Sequence, residues 1–315
     1  MSTITETHWH GFQAWQMENE ALRVIIVPEL GAKIASLYDK AADYEWLAAP
    51  TNPVRKRAYG DTFTDHDLAG WDEMFPTIVP CPSPHDSSVE LPDHGEVWAL
   101  PWTVKHMSQM GQGITLAVQG VALPYTLSRK SYLVSNWLWL DYTLTNDGDQ
   151  AIPFLWAAHP LFRADDQTQF ILPPSIQRVV SVADHPVFGK PDTPYAWPLA
   201  TLPDGTQQRI DRMGPPSRKD YRKFYTSPDD KLSAAGIMRY TDELELNMFW
   251  VGLKASYLGL WVDEGTYTSE TTIALEPATG YYDSLQLAID NDHVSVIQVG
   301  ETVNWQLRVG FGFRR

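Results

Sequence analysis

What constrains this chain most is the spacing of its apolar residues, which is two almost throughout and nowhere clearly 3.6. Leu22, Val24 and Ile26 alternate with Arg23, Ile25 and Val27, and residues 28–31 then supply a turn. Near the carboxyl end Trp305, Leu307, Val309, Phe311 and Phe313 alternate with Gln306, Arg308, Gly310 and Gly312. Side chains of a strand point to opposite faces in turn, so this pattern predicts strands with one face buried. Residues 136–145, 243–251 and 267–275 read the same way, and Asn146-Asp147-Gly148-Asp149 ends the first of these in a strong turn. No helical pattern of a dozen residues is found, and 23 prolines and 20 glycines punctuate the chain at short intervals. The lack of strand–helix–strand alternation argues against a parallel α/β fold. The expected architecture is all-β: one large antiparallel β-sandwich spanning residues 1–315 as a single domain. Residues 59–94 and 184–224 interrupt the pattern. Rich in Pro, Asp, His and aromatics, they read as long ordered loops, the kind of segment that carries function.

Composition then narrows the partners. Lys plus Arg is 24 against 39 for Asp plus Glu, a formal charge of −15. Such a field repels phosphate backbones and anionic lipid, so neither nucleic acid nor membrane is an expected partner. The first ten residues are polar and carry no secretory pattern, and no apolar stretch approaches the roughly 20 residues that span a bilayer. Cys81 is the only cysteine, which rules out an intramolecular disulfide. These features predict a cytoplasmic protein with Cys81 as a structural thiol.

Three titratable residues stand out by their setting. His94 lies in Asp93-His94-Gly95-Glu96, where either carboxylate is placed to hold the imidazole cationic. His159 follows the apolar run 152–158; it is either a core histidine satisfied by the backbone or an acid at the end of a buried strand. Glu276 ends Thr271-Thr272-Ile273-Ala274-Leu275 and precedes Pro277. A carboxylate there is costly unless it is paired or functional. Several aromatics sit in polar, turn-rich stretches, namely Trp71, Trp98, Trp102, Tyr195, Trp197 and Tyr221. Most of them suit core packing, but flat rings beside acids also suit the apolar face of a sugar ring. Asp65-His66-Asp67, His85 and Asp86 have metal-ligand chemistry but no ligand spacing, so no metal is expected. Nucleotide-binding glycine loops and the serine-hydrolase elbow are missing from the sequence.

Taken together, the motifs resemble the aldose 1-epimerase, or galactose mutarotase-like, superfamily. The residues concerned are Pro28-Glu29-Leu30-Gly31-Ala32-Lys33-Ile34, Gly70-Trp71-Asp72-Glu73-Met74-Phe75-Pro76, His94-Gly95 with Trp98, Ala158-His159-Pro160-Leu161-Phe162 and Ala274-Leu275-Glu276-Pro277. Their order agrees with that family from about residue 20 onward, and the second segment points to a divergent branch. The resemblance implies a large β-sandwich with an open sugar-binding face and no cofactor. It implies His159, Glu276 and His94 as catalytic residues, and Trp71, Asp72, Glu73, Asp93, Trp98, Phe162 and His185 as sugar contacts. The implied chemistry is exchange of α and β anomers. Glu276 takes the C1 hydroxyl proton, protonated His159 supplies one to the ring oxygen, and His94 assists. Two features depart from the family pattern. The Asn-Arg pair that precedes the His-Gly motif in many members has no match around residues 60–70, and Asp184-His185 matches a sugar-binding segment in residue types alone. Arg129, Arg218, Lys219, Arg222 and Lys223 offer charge for a sugar phosphate. The alternatives are a non-catalytic carbohydrate-binding protein, or an isomerase or lyase acting on another sugar or sugar phosphate in the same cleft. The expected partner is a small sugar, for a monomer or homodimer.

Overall fold

The computed structural model describes residues 2–108, 113–253 and 256–313. Two large sheets, each antiparallel along its strand order, face each other across the main core. The larger sheet runs, in spatial order, through Thr3–Trp9, Phe12–Glu18, Leu22–Val27, Lys33–Asp39, Trp71–Met74, Ala157–Pro160, Thr271–Ala278, Tyr257–Glu264, Asp220–Thr226, Arg178–Ser181 and Thr193–Ala196. Two short strands, Tyr44–Glu45 and Phe162–Ala164, attach to it. The second sheet has eight strands, with Thr302–Phe313 and Trp137–Asn146 at its centre. Leu260, Val262, Ile273 and Leu275 of the first sheet and Leu116, Leu127, Leu140 and Leu307 of the second belong to one buried cluster. The all-β antiparallel sandwich expected from the period of two is therefore the fold observed.

The clean alternations became strands at nearly the expected places: Leu22–Val27, Leu244–Val251, Trp137–Asn146 and Thr302–Phe313. Residues 28–31 form the expected turn, a short 3-10 segment closed by Gly31 in the left-handed region. Glycine is required there twice over, by its φ of 70° and because a Cβ would lie 2.3 Å from the Trp98 carbonyl oxygen.

Two expectations are corrected. The strand read at 267–275 begins only at Thr271. The Asp263 carboxylate accepts from the N–H groups of Thr266, Tyr267 and Thr268, and this holds those residues in a turn. The segments 59–94 and 184–224 are not plain loops. The first contributes Trp71–Met74 to the middle of the large sheet, and the second contributes Thr193–Ala196 and most of Asp220–Thr226. Trp71–Met74 and Asp220–Thr226 are held by neighbouring strands on both sides and Thr193–Ala196, at the sheet edge, by one, a tertiary effect that overrides weak local signals. Among the described residues there is one α-helix, Leu285–Asp290, and no helix is long and apolar enough to cross a membrane.

Candidate active site

Strand register explains how the site is assembled. In the large sheet His159 is paired with Asp72. Ala157 is paired with Ala278, so two residues further along each strand His159 stands opposite Glu276. Glu276 is paired with Gly259, and Gly259 with Tyr225. A period of two then puts Thr272, Glu276, Trp261, Asp263, Lys223 and His159 on one face, while Ile273, Leu275, Leu260, Val262 and Phe224 fill the core on the other. A cavity of about 190 Å³ opens on the first of these faces. Its lining includes His94, His159, Glu276, Lys223, Asp283, Trp261 and Phe63.

His159 Nε2 lies 3.8 Å from Glu276 Oε1, with both side chains almost wholly buried. Among the described residues His159 Nδ1 and Glu276 Oε1 accept or donate no hydrogen bond. Buried polar atoms are nearly always paired, so a carboxylate oxygen left unpaired on a residue of the cavity wall is available to a ligand. Glu276 Oε2 forms an ion pair with Lys223 Nζ at 2.7 Å. Burial pushes the Glu276 carboxyl above its ordinary pKa, against the opposing charge of Lys223. Burial also pushes His159 well below the usual histidine value, and the neighbouring His94, Lys223 and Lys33 add to that shift. Burial among these positive neighbours thus opposes the protonated form of His159 that the resemblance implies.

His94 is delivered from a loop. It has a φ of 58°, and Gly95 beside it has a φ of 72°. A Cβ at Gly95 would lie 2.2 Å from the Phe75 carbonyl oxygen, so only glycine allows this turn to press against the sheet. The His94 ring stacks on Phe63 with centroids 4.1 Å apart and meets the His159 ring edge-on at 5.4 Å. Its Nδ1 is 2.9 Å from Asp93 Oδ1, which leaves Nε2 for the cavity. Burial alone would raise the Asp93 pKa; the hydrogen bond and charge of His94 outweigh it and bring it below the usual range. Asp93 also accepts the Phe63 N–H at 2.8 Å, so one carboxylate fixes both stacked rings. Glu96, the other carboxylate expected beside His94, points elsewhere: it accepts from Tyr59 Oη, Tyr125 Oη and the Ala122 N–H.

The remaining expected sugar contacts divide by face. Trp71 and Glu73 point into the core, since residues next to Asp72 in a strand must face the other way. Glu73 accepts from Arg129, Tyr142 and Trp156, and Trp71 packs edge-on to the buried Phe162. Asp72 shares the face of His159 but is held by Lys33 at 2.7 Å and Arg57 at 2.7 Å. Trp98 is buried under Phe63 and donates its Nε1–H to the Asp93 carbonyl at 2.8 Å, so it supports the wall without lining the cavity. His185 lies outside this lining; its Nε2 meets Asp220 at 2.7 Å and its Nδ1 accepts from the Val187 and Phe188 N–H groups. The structure therefore brings His94, His159 and Glu276 together and does not bring Trp71, Asp72, Glu73, Asp93, Trp98, Phe162 or His185 to the cavity lining.

Of the basic residues read as phosphate contacts, Lys223 alone lines the cavity, and it stands between two carboxylates. Arg129 is paired with Glu73, Arg218 and Arg222 are paired with Glu264, and Lys219 donates to the Gly265 carbonyl. The metal-like residues do not converge either: His66 pairs with Asp61, Asp67 with Lys33 and Arg57, and His85 with the Ala151 carbonyl. Phe63, Trp261, Asp263, Tyr267 and Asp283 were not singled out from the sequence. For Trp261 and Asp263 the signal was present, since they alternate with the buried Leu260 and Val262. It became usable only once the face of Glu276 was known.

No protein-family model matches the chain, and no curated protein matches it in sequence. Solved structures do. A Synechocystis protein superimposes with a TM-score of 0.72 at 14% identity, over 96% of each chain. A galactose mutarotase-like protein from Clostridium acetobutylicum gives 0.69 at 14% identity, covering 99% of this chain and 98% of its own. A galactose mutarotase related enzyme from Lactobacillus acidophilus gives 0.67 at 14% identity, covering 95% and 97%. The strand order, the sandwich and these superpositions over nearly the full length give the chain the galactose mutarotase-like fold.

Proposed function

We propose that the protein is an aldose 1-epimerase that interconverts the α and β anomers of a free aldose. The observation that carries this reading is the meeting of His159 and Glu276 at 3.8 Å in the wall of one cavity that His94 also lines. A cyclic aldose opens when a base removes the C1 hydroxyl proton and an acid protonates the ring oxygen. Rotation about C1–C2 and reclosure then yield the other anomer, with the two proton transfers reversed. Glu276, whose ionised form Lys223 favours against the effect of burial, is the base. The acid is His94, whose Nδ1 is anchored on Asp93 and whose Nε2 is left for the ligand. Neutral His159 donates a hydrogen bond to the oxygen at which charge develops. This exchanges the two histidine roles relative to the sequence reading, and the burial of His159 among positive neighbours is the reason.

The cavity chemistry favours an unphosphorylated sugar. Its lining holds one lysine against Glu276, Asp283 and Asp263, and that lysine is already neutralised. A phosphate there would meet more negative charge than positive. Phe63, Leu68, Leu161 and Trp261 supply the apolar wall on which the C–H face of a pyranose packs.

The test is anomer exchange of a panel of aldoses and hexose 6-phosphates followed by NMR, with wild type and Glu276→Gln side by side. The expected outcome is acceleration of free aldoses by wild type and a loss of about 10²-fold or more in the variant. Equal rates for both proteins at the buffer value, with sugar resonances shifted on binding, would establish a carbohydrate-binding protein instead.

A further inference from the structure

Lys223 is the cation of this site, and its placement is unusual. It comes from Asp220–Thr226, with the strand Tyr257–Glu264 between it and Glu276. The intervening strand presents Gly259 opposite Glu276, and a Cβ there would lie 3.1 Å from Glu276 Oε2. The space left by that glycine is taken by the Glu276 carboxylate and the edge of the Tyr225 ring. Lys223 Nζ is 2.7 Å from Glu276 Oε2 and 2.8 Å from Asp283 Oδ1. Asp283 Oδ1 also accepts from Tyr225 Oη at 2.7 Å. The Asp283 backbone carbonyl receives the N–H groups of Ile78 and Val79, so this acid is fixed in place. The result is a continuous chain Glu276–Lys223–Asp283–Tyr225, with Glu276 fully buried and Asp283 reaching solvent.

We propose that Lys223 is the positioning residue of this site: it keeps the buried Glu276 ionised and engages Oε2, so that Oε1 is presented to His159 and to the ligand. Asp283 is the counterweight. By sharing the ammonium it limits how far Lys223 can strengthen the ionised form of Glu276, leaving a carboxylate still basic enough to take a proton. The catalytic value of this arrangement rests on the anomer-exchange reading, but the arrangement itself can be tested without it.

Among the described residues, the charged and titratable groups that bear most on Glu276 can be placed. Lys223 and Tyr225 come from Asp220–Thr226, His159 from Ala157–Pro160, His94 from the loop ahead of Val97, and Asp283 from the segment after Thr271–Ala278. Tyr257–Glu264 contributes the uncharged Gly259 opposite it and, further along the same face, Asp263 in the cavity wall. Burial raises the Glu276 pKa and Lys223 opposes that rise, while Asp283 adds to it. The two neighbours therefore predict shifts of opposite sign. Removing Lys223 moves Glu276 titration to higher pH, and removing the Asp283 charge moves it lower.

The deciding measurement is the Glu276 carboxyl signal in protein labelled with ¹³C at the glutamate carboxyl, assigned by its disappearance in Glu276→Gln and titrated with pH. Lys223→Met is expected to raise the midpoint by about one pH unit or more, and Lys223→Arg to keep it near wild type. Asp283→Asn is expected to lower it. If Lys223→Met does not fold, the Asp283→Asn and Lys223→Arg midpoints still decide. An Asp283→Asn midpoint equal to or above wild type overturns the proposal, as does an unshifted midpoint in folded Lys223→Met. Exchange kinetics provide the second readout. With a neutral aldose, Lys223→Met is expected to lose about tenfold in kcat at neutral pH with KM little changed, and to recover as pH rises. A uniform loss at all pH values, with KM raised, marks an ordinary sugar contact and overturns it. Were wild type inactive on every sugar, the carboxyl titration would still test Lys223, so failure of the functional reading and failure of this one are separate results.

Discussion

Two buried charge clusters lie side by side on the same face of the large sheet, and they have opposite characters. In the first, Lys33 and Arg57 meet Asp67 and Asp72, and all four carboxylate oxygens have a cation within 2.9 Å. In the second, Glu276 has Lys223 on one oxygen; on the other, among the described residues, the ion-pair partner is His159 at 3.8 Å and no hydrogen bond is made. The first cluster is closed. Arg57 also donates to the Leu30 and Trp98 carbonyls and Lys33 to the Ala69 carbonyl, tying together the turns behind the His94 loop. The second is open toward a cavity. Similar residues, separated by one strand, thus do structural work where every carboxylate oxygen meets a cation and offer chemistry where one oxygen does not.

The sharpest way to break this comparison is to exchange the penalties. Asp72→Ala leaves two cations buried with one carboxylate, and is expected to cost about 3–5 kcal/mol of stability. Glu276→Gln removes a desolvated charge from a cavity wall, and is expected to leave stability within about 1 kcal/mol of wild type while exchange is lost. Urea unfolding of both variants checks the pair; a cost for Asp72→Ala no larger than for Glu276→Gln would mean that the closed cluster does not hold the fold.

A smaller effect should appear in acid. Asp67 is largely buried, and burial alone would raise its pKa. The charges of Lys33 and Arg57 more than offset this and hold it well below the usual 3.8. A group whose folded pKa is depressed binds fewer protons in the folded state than in the unfolded one. Its stabilising contribution is therefore complete above the unfolded pKa and is lost as pH falls through the folded one. Stability should fall steeply with pH below about 4, and Asp67→Asn should flatten that slope although it lowers stability at neutral pH. Denaturation midpoints measured across that range test it, and an unchanged slope in the variant would exclude Asp67 as the source.

The smallest expected effect concerns His185. Both of its nitrogens are occupied at the Val187 and Phe188 turn and by Asp220. His185→Gln should lower stability by about 1 kcal/mol through lost turn hydrogen bonds, and leave KM for the sugar unchanged. A several-fold rise in KM would return this residue to the binding surface.

How much was legible beforehand follows from these residues. His94, His159 and Glu276 were visible because each breaks its local pattern: a histidine before glycine, and a polar group at the end of an apolar run. Trp71, Asp72 and Glu73 were read together as one sugar-binding segment, yet the strand period that identified the fold also forbids all three from facing one way. The same rule, applied within Trp71–Met74, would have separated Asp72 from its neighbours. Lys223 and Asp283 were legible as charges only. The first was one of several basic residues near position 220, and the second lies beyond the strand that carries Glu276.

By itself the sequence determined the all-β architecture, because alternation, turns and the scarcity of helical periods are local properties that each segment carries alone. It also marked the residues that are anomalous in their own surroundings. Which face each strand buries, and which residue stands across from which, depends on register between segments as far apart as Trp71–Met74 and Thr271–Ala278. Only the tertiary structure decided that. The placement of His159 opposite Glu276, the contact of Lys223 with Glu276 across an intervening strand, and the burial that opposes protonation of His159 all come from side chains brought together by pairing and packing, which no single stretch of the chain encodes.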